Sequence, residues 1–403
     1  MRVFRVRDPF HRGQLAIAAL FCSLGFQYAT WASRIPALKS DLGLSAAEVG
    51  VLLMAAGVGA AVSFPLVAAL MRRLGSQRLA LLSALCLALL LPALAAAPNY
   101  PVALLVMCVD GVLVGCLNVA MNAQGAALET RFARNAMARL HATFSGGSLL
   151  AALLASGMNA LTSAVAVHFT AAAALLLLLA AYARTGLLPE DQLPEQEGEK
   201  ARGEAGEKRV GKRARKWTLP SRMTLWMCVA MAFGTVTEGA MNDWSALYLE
   251  DVADASAELA PLGIAVVSGM MVVARLFADG WRSRWGDGRV VVAGSALAGA
   301  GLLLALLSGG LIPALLGFAC VGLGIAAVTP CVYVAAAGQG SDSLTLVAAM
   351  GTTGLLAGPP LIGFIAHASS LVWGFAAVAA SALVVSACGT RIRWTPAEQL
   401  TRT

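Results

Sequence analysis

The chain has 403 residues, of which 59% are hydrophobic and 13% charged, and it carries a formal net charge of +7. A water-soluble domain has about 25% charged residues, so a soluble globular fold is excluded. The positive charge lies in short loops rather than on one folded face, which excludes a nucleic-acid surface and points to membrane topology.

The apolar residues fall into twelve stretches, at 13–36, 45–70, 78–97, 101–128, 139–159, 163–184, 222–249, 260–281, 289–308, 311–338, 343–366 and 370–390. Each is long enough for an α-helix to cross about 30 Å of hydrocarbon. Lipid cannot hydrogen-bond an open backbone, and the Gly, Ala and Leu content lacks the alternation of barrel strands, so the spans are read as helices. With the N-terminus inside, 27 of the 29 Lys and Arg residues lie in or beside cytoplasmic segments. Basic loops resist translocation, and both ends are therefore placed in the cytoplasm of a bacterial inner-membrane protein. The basic N-terminus resembles a signal peptide, but the apolar run behind it is too long for a cleaved one.

The first stretch puts Ser23, Gln27, Trp31 and Arg34 on one helical face. Gln27 offers both donors and acceptors to a hydroxyl-rich ligand, and Trp31 either stacks on a sugar or anchors at the interface. Arg34 is expected near the outer end as part of a gate. The loop at MRRLGSQR follows the second stretch. In the fourth, Asp110 lies nine residues after Pro101, about 14 Å deep at 1.5 Å per residue. Such a group costs about 2.5–3.5 kcal/mol on insertion scales, which calls for a function or a partner. Asn118 and Asn122 follow on the same third of the helix surface, as ligand contacts or as interhelical hydrogen bonds.

Between the sixth and seventh stretches, 185–221 begins acidic at Glu190, Asp191, Glu195, Glu197 and Glu199. It ends basic at Lys208, Arg209, Lys212, Arg213, Arg215 and Lys216. It reads as a cytoplasmic linker lying against anionic lipid, dividing the chain into six-helix bundles at 1–184 and 222–403. The seventh stretch places Thr235, Glu238, Asn242 and Ser245 on one face. Glu238 is the sharpest signal in the chain: either it carries a proton or it pairs with Arg34. Asp243 points elsewhere, toward an outer gate. Arg275 and Asp279, an i, i+4 pair in the eighth stretch, are expected as gate residues, and Tyr333 in the tenth as a ligand contact.

The halves repeat. Trp31 precedes Gly50 by nineteen residues, as Trp244 precedes Gly263, and Gly75 and Gly286 follow inside basic turns; Gly115 and Gly324 occupy similar places in spans four and ten. An even number of spans per half keeps both copies in one orientation, a parallel repeat. With these residues in view, the chain resembles the major facilitator superfamily over nearly its whole length. Arg275, Asp279, Arg282, Arg284 and Gly286 match a degenerate form of the family's loop motif Gly-x-x-x-Asp-Arg-x-Gly-Arg-Arg. The first half keeps Arg73, Gly75 and Arg78 but has Arg72 at the acidic position. CLNVAMNAQG and GFQYATWASRIP resemble the fucose-permease branch, with Ala32 and Asn118 at that branch's acidic positions. WASRIPALKSDLGLS, HATFSGG and EGAMNDWS resemble a bacterial subgroup near it.

The resemblance implies alternating access around a central polar cavity and proton symport of a sugar-like solute by a monomer. Glu238 and Asp110 are the favoured titrating groups, and Gln27, Trp31, Asn118, Asn122, Glu238, Asn242 and Tyr333 the favoured ligand contacts. Arg34, Asp243, Arg275 and Asp279 are assigned to gating. A drug or metabolite antiporter is the alternative, although span five lacks the Gly-Pro motif associated with drug–proton antiporters. A non-transporting sensor or scaffold is another. No catalytic constellation is present, and all eight cysteines sit inside apolar stretches without CxxC spacing, so no enzyme, metal or cofactor is expected.

Overall fold

A computed structural model describes residues 8–134, 136–189 and 220–394 of the chain. The first helix, α1 (Pro9–Ala32), starts where Asp8 accepts the backbone N–H of Phe10 at 3.0 Å and Pro9 presets the first turn. It ends at Ser33, and Pro36 sits in the first turn of the short helix α2 (Ile35–Asp41). A capping box at Ser45 and Glu48 opens α3 (Ala46–Ala95).

At 1.5 Å per residue the 50 residues of α3 would run about 75 Å, more than twice the hydrocarbon thickness. Gly75, with φ 73° and ψ 169°, breaks the run and returns the chain through the membrane. Only glycine takes that backbone conformation without strain. Then come α4 (Tyr100–Phe132), α5 (Met137–Leu161) and α6 (Val165–Ala183).

The second half comprises α7 (Arg222–Asp251), α8 (Leu262–Trp285) and α9 (Asp287–Ser308). After these come α10 (Leu311–Ile325), α11 (Val328–Ala337), α12 (Ser341–Ala368) and α13 (Leu371–Gly389). The tenth expected span is broken into α10 and α11 at Ala326–Ala327, where Pro330 has no N–H to give the Ala326 carbonyl four residues earlier and its ring crowds that carbonyl. Among the described residues, ten segments are long and apolar enough to cross a membrane. The polar-rich α7, and α8, whose apolar part is Leu262–Ala278, complete the twelve. These are the two helices that bring Glu238 and Arg275 into the interior.

Gly286, with φ 80° and ψ 153°, turns the chain from α8 to α9 as Gly75 does within α3. The repeat is therefore built into the backbone at those two anchors. The expected pairing of Gly115 with Gly324 is different in detail. Gly115 faces Ser63 of α3, whereas Gly324 faces Gly294 of α9; it is Gly322 that meets α8, at Val267.

Within each half, helices approach until small residues touch. A Cβ on Gly25 would lie 2.0 Å from the Phe144 carbonyl oxygen, and one on Gly111 would lie 1.7 Å from that of Ala56. Lipid supplies no hydrophobic drive between helices, so such close packing holds them together. Residues 190–219 of the expected linker lie outside the described residues. Its start, Thr185 to Pro189, is tied down: Gln124 accepts the N–H of Leu188 at 2.8 Å and donates to its carbonyl at 3.0 Å.

Candidate functional site

The polar residues of the spans meet between the halves. In the first half, the Gln27 Nε2 donates to Asp110 Oδ1 at 2.6 Å, joining α1 to α4. Both side chains are buried, at 1% and 4% exposure, and the Gln27 Oε1 has no hydrogen-bond partner among the described residues. One residue on, the Tyr28 hydroxyl donates to Asp243 of α7 across the halves.

The second half supplies a looser pair. Arg275 of α8 reaches Glu238 Oε1 at 3.4 Å, with both side chains 26% exposed. The same guanidinium donates to the Ser145 hydroxyl of α5, which bridges the halves a second time. Asn242 donates to the Glu238 carbonyl at 3.0 Å. A 3.4 Å contact is at the weak limit of charge-assisted bonding, so this pair can separate at small cost.

Asn118 and Asn122 pair along α4, Nδ2 of Asn122 lying 2.6 Å from Oδ1 of Asn118. Asn118 is exposed and Asn122 half-buried. The lipid-facing strip of α4 carries the exposed apolar side chains Leu105, Val109 and Val119. Asn118 and Asn122 lie about 100–140° away from the centre of that strip at 100° per residue. They therefore lie off that apolar strip.

The outer end is shut. Lys39 of α2 pairs with Asp251 of α7 at 2.5 Å. The Ser156 hydroxyl and the Asn159 amide donate to the carbonyls of Glu258 and Ala257, each at 2.5 Å. Gly50 of α3 abuts Pro359, Pro360 and Gly363 of α12. The hydrogen bonds that join the halves at Tyr28, Lys39, Ser156, Asn159 and Arg275 lie in the outer part or at mid-depth. The outer end is therefore closed.

Several expected partners are rearranged. Glu238 meets Arg275 rather than Arg34, because α8 lies beside α7 while Arg34 turns toward α6. Arg34 Nε donates to His168 Nδ1 at 3.0 Å, and its remaining bonds go to the carbonyls of Ser163 and Thr162. All of these contacts stay inside the first half. Trp31 is buried in the outer apolar core, edge-on to Tyr28 with centroids 4.9 Å apart, and its indole N–H has no partner among the described residues. Tyr333 is half-buried against the inner core of the second half. The side chain of Asp279 lies outside the described residues.

Tyr28, Ser145 and His168 are the members that sequence reasoning passed over. His168 was findable as an ionisable residue inside an apolar run. Tyr28 sits one position beyond the Gln27 face, and nothing in its spacing announces a partner 215 residues away.

Comparison with known proteins agrees with this architecture. The family model described as Major Facilitator Superfamily matches residues 15–342. The chain is 31% identical to an uncharacterised MFS-type transporter of Yersinia pestis, over 93% of this chain and 94% of that one. It is also 31% identical to the membrane protein MosC of Rhizobium meliloti, over 88% and 84% respectively. Among solved structures it is similar to a point mutant of the nucleoside transporter NupG, at TM-score 0.72 and 14% identity, covering 95% of this chain and 99% of that one. It is also similar to the transporter FucP in the outward conformation, at TM-score 0.57 and 16% identity over 94% and 99%. With twelve spans in two repeats, polar groups between them and a family match over most of its length, the chain belongs to the major facilitator superfamily of membrane transporters.

Proposed function

We propose that this transporter works in the bacterial cytoplasmic membrane as a single chain, carrying a small hydroxyl-rich solute by proton-coupled alternating access. The observation that carries the reading is the contrast between a locked Gln27–Asp110 pair and a half-exposed Glu238–Arg275 pair on opposite sides of one space. A proton on Glu238 removes the charge that holds one arm of the Arg275 guanidinium, freeing that arm for the solute while the other stays on Ser145. The unpartnered Gln27 Oε1 and the Asn118, Asn122 and Asn242 amides supply acceptors and donors suited to hydroxyls. Tyr28–Asp243 and Lys39–Asp251 form the outer gate, and must part for the outward state. Support for a sugar-bearing solute comes from NupG, a nucleoside transporter of the same fold.

The test is a thermal-shift screen of purified protein against monosaccharides, nucleosides, amino acids and lipophilic cations at about pH 6 and about pH 8. A ligand that binds only the folded state raises Tm, by the equivalent of about 2.7 kcal/mol at a hundred times Kd. Stabilisation by a monosaccharide or nucleoside is expected, with a pH dependence that Glu238→Gln removes. Stabilisation by lipophilic cations alone would replace this reading with drug efflux. A pH response unchanged in Glu238→Gln would remove Glu238 from coupling.

A further inference from the structure

The two glycine turns of the repeat differ in one respect that the transport reading does not use. At Gly286 the turn carries its own anion. Asp287 is the first residue of α9, and its carboxylate takes two hydrogen bonds from Arg282, at 2.8 and 3.2 Å. A carboxylate there also meets the positive end of the helix. At Gly75 the next residue is Ser76, whose buried hydroxyl is engaged by Gln124 at 2.8 Å. Arg72 occupies a position where the family motif has an acid. Arg72, Arg73 and Arg78 are exposed, and among the described residues none has a carboxylate partner. They line a cavity of about 460 Å³ together with Gln77, Gly75 and Pro189.

The cavity therefore gathers three guanidinium groups and the first amides of a helix around a space with no acid among the described residues that line it, the elements of a phosphate site. Its position identifies the phosphate's source. The turn ends two spans on the cytoplasmic side, and Leu66, Leu82 and Leu85 on those spans are exposed to lipid. They lie about 10–15 Å along the helices from Gly75, within reach of acyl chains whose headgroup rests at the turn. We infer that the Gly75 turn is a binding site for an anionic phospholipid of the cytoplasmic leaflet, its phosphate held by Arg72, Arg73 and Arg78 where the second repeat uses Asp287.

The full-length protein, purified in a neutral detergent, is titrated with phosphatidylglycerol and with phosphatidylcholine, and retained lipid is counted by native mass spectrometry. Phosphatidylglycerol should be retained preferentially. Replacing each arginine with Ala should weaken that preference about fivefold, in line with the contribution of one basic residue at an anionic surface. Arg72→Asp and Ser76→Asp, which put an acid back into the turn, should weaken it as well, and the Tm of each variant reports folding independently. Equal retention of both lipids, or a preference unchanged in the folded Arg72→Asp and Arg73→Ala variants, would overturn the inference. So would inorganic phosphate displacing all bound phosphatidylglycerol at millimolar concentration, since the site would then be a free-phosphate site. Replacing Glu190, Asp191, Glu195, Glu197 and Glu199 with their amides should leave the preference intact. If it instead changes the preference as the arginine substitutions do, the arginines serve the chain's own acids and the proposal fails.

Discussion

The two halves of the molecule share a backbone plan but treat their interior charges differently. In the first half Asp110 is buried against Gln27, and Arg34 is buried against His168 and two carbonyls. In the second half Glu238 and Arg275 face each other at 3.4 Å and stay partly exposed. A buried charge that loses its partner costs several kcal/mol, so the first half's pairs are bound to persist through a transport cycle. The exposed pair can break and re-form. On the proposed mechanism, one repeat is the fixed wall and the other the responsive element.

Five expectations bear on that contrast. The largest concerns Glu238→Gln: uphill accumulation in proteoliposomes with an imposed pH gradient should fall at least tenfold, with insertion and Tm unchanged. A variant that accumulates solute normally would dissolve the contrast. Next, Asp110→Ala should destabilise the folded protein by about 1–3 kcal/mol, because it leaves the buried Gln27 amide without its acceptor, and thermal unfolding reads this directly. Arg275→Ala should cost much less stability than Asp110→Ala. If the order reverses, the second half is the rigid one.

Third, Gly363→Ala places a Cβ 2.7 Å from the Ala46 carbonyl oxygen and 2.9 Å from the Gly50 Cα at the outer seam. Backbone cannot yield there without parting the halves, so spin-label distances across the outer end should lengthen while each half stays folded. Fourth, Lys39→Ala removes a partly exposed ion pair worth about 0.2–1 kcal/mol. It should move the same distances in the same direction, shifting the populations by a factor of about five or less. The smallest effect belongs to Asp8, which caps α1 outside the membrane. The N–H of Phe10 and then Arg134 hold its carboxyl below the usual value of 3.8. A depressed pKa gives stability that is present above the unfolded value and fades as pH falls through the folded one. Asp8→Asn should therefore lower Tm slightly near pH 7, and the difference should close on acidification below about pH 4.

Much of the fold was legible because lipid imposes strict rules. A polar backbone must be helical, a span needs about twenty residues, and basic loops stay inside. Gly75 and Gly286 were visible as anchors because a turn between spans needs their positive φ. The Glu238 and Asp110 positions were legible for a related reason, since an ionisable residue at bilayer depth is costly enough to stand out. Their partners were not. Whether Glu238 meets Arg34 or Arg275 depends on which helices are neighbours, and helical periodicity within one span carries no information about that. Trp31 shows the same limit: its helical face was right, yet the outer core closes over that face. The break at Ala326–Ala327 illustrates the reverse case, in which Pro330 marked the spot but the hydropathy of the run concealed it.

The central claim is that water-accessible space between the halves opens to one side of the membrane at a time. The most direct measurement is labelling of Asn118→Cys, in a protein whose eight native cysteines are replaced, with a membrane-impermeant thiol reagent applied from either side. Ready labelling from the cytoplasmic side and protection from the outer side is the expected result in the conformation described here, with outer-side labelling gained when Gly363→Ala is added. Protection from both sides, or equal labelling from both in the unaltered outer seam, would contradict the account.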